Sequence, residues 1–193
     1  MLPHVVKTLI VINTAAFLLE FLFGEPLLGA FALWPLGDSF QPLQLVTYAF
    51  LHANWAHIVL NMLGLALFGA DLERIWGGRR FLFYYLFCVL SAALTQLLVM
   101  GLTGENSPTL GASGGVFGLI LAFAITYPNR IVVLLFPPIP MPAWLFATLY
   151  AIIELFLGVT QTQAGVAHFA HLGGMLGGYL LLRAGRSNPS EAP

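Results

Sequence analysis

Two polar residues stand between glycines at the heads of apolar stretches. Ser113 lies in Gly111-Ala112-Ser113-Gly114-Gly115 and His171 in Ala170-His171-Leu172-Gly173-Gly174, and each opens about fifteen mostly apolar residues. A serine hydroxyl becomes an effective nucleophile when a base takes its proton as it attacks. His171 is the candidate base, with His168 one turn earlier as its rival. Negative charge then collects on a tetrahedral oxygen and needs donors aimed at it. His57 and Asn61, at i and i+4, share one helical face and can supply side-chain donors. The Ser113 backbone N–H, at a helix start, can add another. Acyl transfer at a serine is the chemistry this set would perform.

Plainer readings exist for each residue. A lone serine in an apolar helix ordinarily makes a helix–helix hydrogen bond. Histidine and asparagine at membrane depth are costlier, so function is their default. His168/His171 and His52/His57 have spacings that also suit a metal, but no cysteine and no obviously placed carboxylate completes a ligand set. No metal and no cofactor is therefore expected. The zinc-protease pattern of two histidines around a glutamate is absent. An aspartyl dyad needs two membrane aspartates, whereas Asp38 falls in a loop and Asp71 at a helix end. Serine chemistry is what remains.

The elements that position these residues follow from composition. Of 193 residues, 59% are hydrophobic and 8% charged, against roughly 25% charged in soluble domains. This is a membrane chain. A net charge of −1 and no basic cluster exclude a nucleic-acid partner. Cys88, the sole cysteine, sits in an apolar run and reads as packing.

A membrane span takes about 20 apolar residues. Six are expected, at about 5–23, 56–72, 81–102, 113–128, 143–158 and 168–182, forming an all-α bundle rather than a barrel. They make a single membrane domain over 1–186, with 187–193 as a polar, disordered tail. Val5–Phe23 reads as a retained span, not a cleaved signal. The proline-rich segment 136–142 is expected to be a loop.

Lys7, Arg74, Arg79, Arg80, Arg130, Arg183 and Arg186 all fall on one side of this division, which makes both termini cytoplasmic. Spans two, four and six then begin in the outer leaflet, bringing His57, Asn61, Ser113, His168 and His171 to a common depth. Spans four and six are short, about 22–24 Å at 1.5 Å per residue. Their heads are therefore recessed, and hydrolysis there requires an outward-facing water cavity. Gly114/Gly118 on span four, and Gly173/Gly177 and Gly174/Gly178 on span six, form small-residue stripes that let helices approach closely. Packing the face of His171, Gly174 and Gly178 on Gly114 and Gly118 would set the imidazole beside Ser113.

Over nearly its whole length the chain resembles a rhomboid intramembrane serine protease of the compact six-span prokaryotic type. The matching motifs are His52-x4-His57-x3-Asn61, Gly111-Ala-Ser113-Gly114 and Ala170-His171-Leu-Gly-Gly174, with Leu72-Glu73-Arg74, Gly77 and Arg79-Arg80-Phe81 similar to the family's second loop. The resemblance implies Ser113 as nucleophile and His171 as general base, in a dyad with no third member. It implies His57, Asn61 and the Ser113 N–H as the oxyanion site. Gly111, Gly114, Phe117, His168 and Gly174 would surround them. It further implies a single-span membrane protein as substrate, cut near the outer end of its helix, and the lipid bilayer as the setting. The compact chain, without added domains or a targeting segment, makes the inner membrane of a bacterium the expected location.

The chain departs from the family in two places. Leu43-Gln44 replaces a frequent Trp-Arg in the first loop, and Phe117 replaces a tyrosine that often stacks beneath the histidine. Stacking should survive the second change. Glu20 and Glu154 fall toward the outer ends of spans one and five, where they can line the cavity or bond neighbouring helices. Trp55 and Trp144 read as interfacial belt residues. A pseudoprotease that holds client helices without cutting them is the alternative. A small channel is disfavoured because no polar path continues inward.

Overall fold

The computed structural model describes residues 1–134, 137–160 and 167–186. Helix α1 (His4–Phe23) leads to two short helices of the first loop, α2 (Glu25–Phe31) and α3 (Gln44–Thr47). Span two is α4 (Trp55–Gly64) and α5 (Ala70–Trp76), joined without a break by a π turn at Leu65–Gly69. Then come α6 (Gly78–Thr103), α7 (Ser113–Thr126), strands β1 (Ile131–Val133) and β2 (Pro140–Pro142), α8 (Ala143–Thr160) and α9 (His168–Arg186). Among the described residues, His4–Phe23, Trp55–Trp76, Gly78–Thr103 and Ala143–Thr160 are long and apolar enough to cross a membrane. Ser113–Thr126 is apolar but only 14 residues long. This is a helical membrane bundle, with helix bounds close to those read from hydropathy. The tail 187–193 and most of the 159–167 loop lie outside the described residues.

The proline-rich segment differs from expectation. Residues 140–142 are a strand, paired antiparallel with β1 so that Met141 faces Val132 between Pro140 and Pro142. Proline lacks the N–H that a central strand needs, but a two-stranded ribbon has only edges. Backbone bonds just outside the prolines hold it, Leu134 N–H to Ile139 at 3.0 Å and Ala143 N–H to Arg130 at 2.9 Å.

The long helix α6 is the hub, lying against both α7 and α9. Tyr84, Tyr85, Cys88 and Val89 fill its inner face, so Cys88 is buried packing. Glycines bring the backbones together. A β-carbon on Gly174 would fall on the Gly114 carbonyl, and one on Gly118 would lie 3.2 Å from the Gly174 carbonyl oxygen. The α7–α9 seam is therefore the one anticipated, except that Gly178 turns to α6, against Tyr84 and Cys88. Gly173 and Gly177 face Thr95 and Ser91 of α6. Backbone exposed at such contacts is itself bonded. The Tyr84 hydroxyl donates to Gly118 O at 2.9 Å and the Ser91 hydroxyl to Gly173 O at 2.8 Å.

One end of the bundle gathers charge. The Glu73 carboxylate accepts the Val5 and Val6 N–H groups at 2.8 and 2.7 Å, capping α1, which has no side-chain cap of its own. Asp71 pairs with Arg74 at 2.6 Å and with Arg130 at 2.8 Å. At the other end, Glu20 accepts the His52 N–H at 3.0 and 3.2 Å, tying α1 to the approach to α4.

Gln44 organises the first loop. Its amide oxygen accepts from Trp34 N–H and Gln41 N–H at 3.3 and 3.2 Å, and its amide nitrogen donates to Ala30 O and Ser39 O at 3.3 and 3.1 Å. The side chain is fully buried with all its bonding capacity used. Leucine has similar volume and satisfies none of these groups. Gln44→Leu is expected to cost about 3 kcal/mol, since several backbone groups lose their partners. Thermal unfolding in detergent should show a lowered Tm, while Leu43→Ala at the exposed neighbour should not.

Candidate active site

Ser113 is the first residue of α7, which starts without a side-chain cap. The first bond in the helix runs from Val116 N–H to Ala112 O, so the Ser113 N–H points out of the helix start. Opposite it, α9 delivers His171. The seam at Gly114 and Gly174 brings the two heads together, and His171 Nε2 stands 2.7 Å from Ser113 Oγ. His171 is buried and Ser113 partly so. Phe117, one turn below Ser113, stacks flat on the imidazole, with centroids 4.3 Å apart and planes 4° from parallel. The stacking expected of Phe117 is what the structure has.

Span two adds the second wall. Asn54 caps α4 by accepting the His57 N–H at 2.9 Å. The Ala53 N–H donates to His57 Nδ1 at 3.4 Å, which leaves the ring proton on Nε2 as a donor. Gly111, at φ +126°, has no side chain because the His57 ring occupies that place. A β-carbon there would lie 2.7 Å from His57 Nε2 and 3.7 Å from Ser113 Oγ, so imidazole and hydroxyl flank the same glycine. Asn61 is buried and spends one amide hydrogen on the His57 carbonyl at 3.0 Å, keeping the other. All four of these side chains line one cavity of about 730 Å³, walled also by Gly64, Phe68, Val116, Phe146 and Tyr150.

The model of the Rhomboid domain family matches residues 39–187 of the chain. This chain belongs to the rhomboid family. Similar relatives include Rhomboid protein 1, mitochondrial, of Saccharomyces cerevisiae, 30% identical over 140 residues that cover 72% of this chain and 40% of the relative. RHOMBOID-like protein 12, mitochondrial, of Arabidopsis thaliana is 33% identical over 144 residues, covering 67% and 42%. Rhomboid protease GluP of Bacillus subtilis is 28% identical over 142 residues, covering 73% and 25%. The chain spans less than half the length of these relatives. It is a multi-pass integral membrane protein.

The rhomboid's site contains a residue that the sequence reading left unassigned. Glu154 of α8 places Oε2 2.8 Å from His171 Nδ1 and 2.7 Å from His168 Nδ1. The expectation that no carboxylate attends His171 is thereby overturned. His168, the rival base, is buried and turned to Glu154, and Ser113 Oγ bonds to His171 instead. Glu154, His168 and His171 also have the residue types of a metal site, with ligand atoms within 4.8 Å of one another. Two ligands on one tetrahedral zinc at ~2.1 Å sit about 3.4 Å apart, so contacts of this length are hydrogen bonds in this arrangement. His52 and His57, the other histidine pair, pack edge to face with centroids 5.0 Å apart. Burial, with His57 alongside, pushes the His52 imidazole down to about 4, which keeps it neutral.

Proposed function

We propose that this rhomboid is an intramembrane serine endopeptidase, in which Ser113 attacks a substrate carbonyl and His171 serves as general base. The observation that carries the reading is the 2.7 Å contact between His171 Nε2 and Ser113 Oγ, inside a cavity that His57 and Asn61 also line. As Oγ attacks, its proton passes to Nε2 and the carbonyl π pair moves onto oxygen. The His57 Nε2–H, the free Asn61 amide hydrogen and the Ser113 N–H stabilise that oxyanion. Collapse expels the amine, which takes the proton from His171. Water entering the cavity hydrolyses the acyl-enzyme by the same steps.

The substrate is a membrane protein with a single span, cut near the outer end of its helix. The chain crosses the membrane six times with both termini cytoplasmic, an orientation supported by Arg74 and Arg130 standing at the end of the bundle opposite Ser113. The residues 1–186 act as one membrane domain. The name of the Bacillus subtilis relative supports proteolysis.

A fluorophosphonate probe tests the nucleophile. Labelling of wild type in vesicles, with none in Ser113→Ala, is the expected result. Equal labelling of both proteins would overturn the assignment. Client binding without labelling or cleavage would make the chain a pseudoprotease.

A further inference from the structure

From the Glu154–His171–Ser113 chain of hydrogen bonds we infer that Glu154 is a positioning residue for this reaction, the third member of a serine–histidine–glutamate relay whose acid comes from a different helix. The inference rests on the serine-protease reading above and adds a component to it. Both nitrogens of the His171 ring are engaged, Nδ1 by the carboxylate at 2.8 Å and Nε2 by the hydroxyl at 2.7 Å. A carboxylate accepts only, so the proton must sit on Nδ1. That tautomer leaves the Nε2 lone pair facing the Ser113 hydroxyl, which is the state a general base needs. A free imidazole divides its proton between the two nitrogens, and the contact with Glu154 removes that choice.

The second effect is electrostatic. When His171 takes the serine proton it becomes an imidazolium in a site enclosed by helices. Glu154 is buried and its Oε2 lies against the ring, so the positive charge forms next to a fixed negative one. The gain exists when the imidazolium exists, which lowers the barrier rather than the ground state. The carboxylate stays ionised throughout; the proton moves between Oγ, Nε2 and the leaving amine.

His168 explains how the acid is held. Its Nδ1 bonds to the same Oε2 at 2.7 Å, fixing Glu154 between two imidazoles. A glutamate that only joined α8 to α9 would need His168 alone. The bond to His171, on the nitrogen opposite the nucleophile, is what that simpler role leaves unused. Ionisable groups at membrane depth are expensive, and the cluster spends that cost at the reacting group.

The experiment uses full-length protein in proteoliposomes with a single-span reporter substrate. Glu154→Gln keeps shape and bonding capacity, but its amide can turn an N–H toward Nδ1 and favour the wrong tautomer. We expect kcat to fall about 10²–10⁴-fold with KM within a few-fold and Tm little changed. Glu154→Asp restores the charge at poorer reach, and should turn over faster than Glu154→Gln. Histidine-selective ¹⁵N NMR gives a readout independent of turnover. Wild type should show His171 protonated on Nδ1 alone, and Glu154→Gln a mixture or the reverse. Wild-type kcat in Glu154→Gln would overturn the proposal, as would an unchanged tautomer, or a loss confined to KM or Tm. None of these results touches the serine assignment, which fails separately if Ser113→Ala still cleaves.

Discussion

Replacing Ser113 with alanine should bring cleavage of a reconstituted single-span substrate down to the rate of protein-free vesicles. Among the described residues no other hydroxyl bonds to a histidine ring, so none of them offers a second activated nucleophile. His171→Ala should be equally severe, because the unassisted hydroxyl is a poor nucleophile at neutral pH. Serine and base act as a unit, and in such sites each loss alone costs on the order of 10⁴–10⁶ in kcat. The double variant should therefore be no slower than either single one. KM should change little, since neither side chain supplies much ground-state binding. A double variant slowed by the product of the two single effects would mean that the residues act independently, and would sink the assignment of one catalytic pair.

Gly174→Val carries the second-largest expected effect, and it acts through the fold. The β-carbon alone would land on the Gly114 carbonyl, which is main chain and cannot rotate away. Helices α7 and α9 must separate by roughly 1–1.5 Å to relieve the overlap. Membrane helices associate through close packing rather than expulsion of water, so a lost seam is not regained elsewhere. A cost of about 3 kcal/mol or more is expected. His171 would also withdraw from Ser113, and a shift near 1 Å costs about 100-fold in rate. Thermal unfolding in detergent should show a lowered Tm, and fluorophosphonate labelling should be lost below that Tm. Gly101→Val, at a position of α6 with open space around it, is the control and should behave like wild type. Unchanged labelling in Gly174→Val would show that the seam does not set the catalytic distance.

Much of this site was legible from the chain because it depends on local order. Positive-inside charge and hydropathy put His57, Asn61, Ser113 and His171 at one depth, and small-residue stripes named the seam. Glu154 was not, and the reason is geometric. A glutamate in an apolar run reveals its depth, but not which way it faces around the bundle. The bond to His171 spans 17 residues and joins two helices whose rotation no periodicity fixes. Gly178 failed similarly. It shares a helical stripe with Gly174, but α9 has neighbours on several sides, and one stripe can serve two of them. Gln44 looked like a departure from a motif, and only the fold shows its four bonds closing the first loop. The strand at 140–142 defied its prolines because both strands of a lone hairpin are edges.

The far end of the cavity is built differently from its mouth. Below Ser113 its lining passes to Ile120, Leu67, Phe68 and Phe146 and ends on Val132, Val133 and Leu134 of the hairpin. Among the described residues that part of the lining is mostly apolar, and an apolar constriction sheds water. The hairpin thus gives the cavity an apolar floor. Under the proposed hydrolysis, such a floor would let water reach the serine without giving protons or sodium a route across the bilayer.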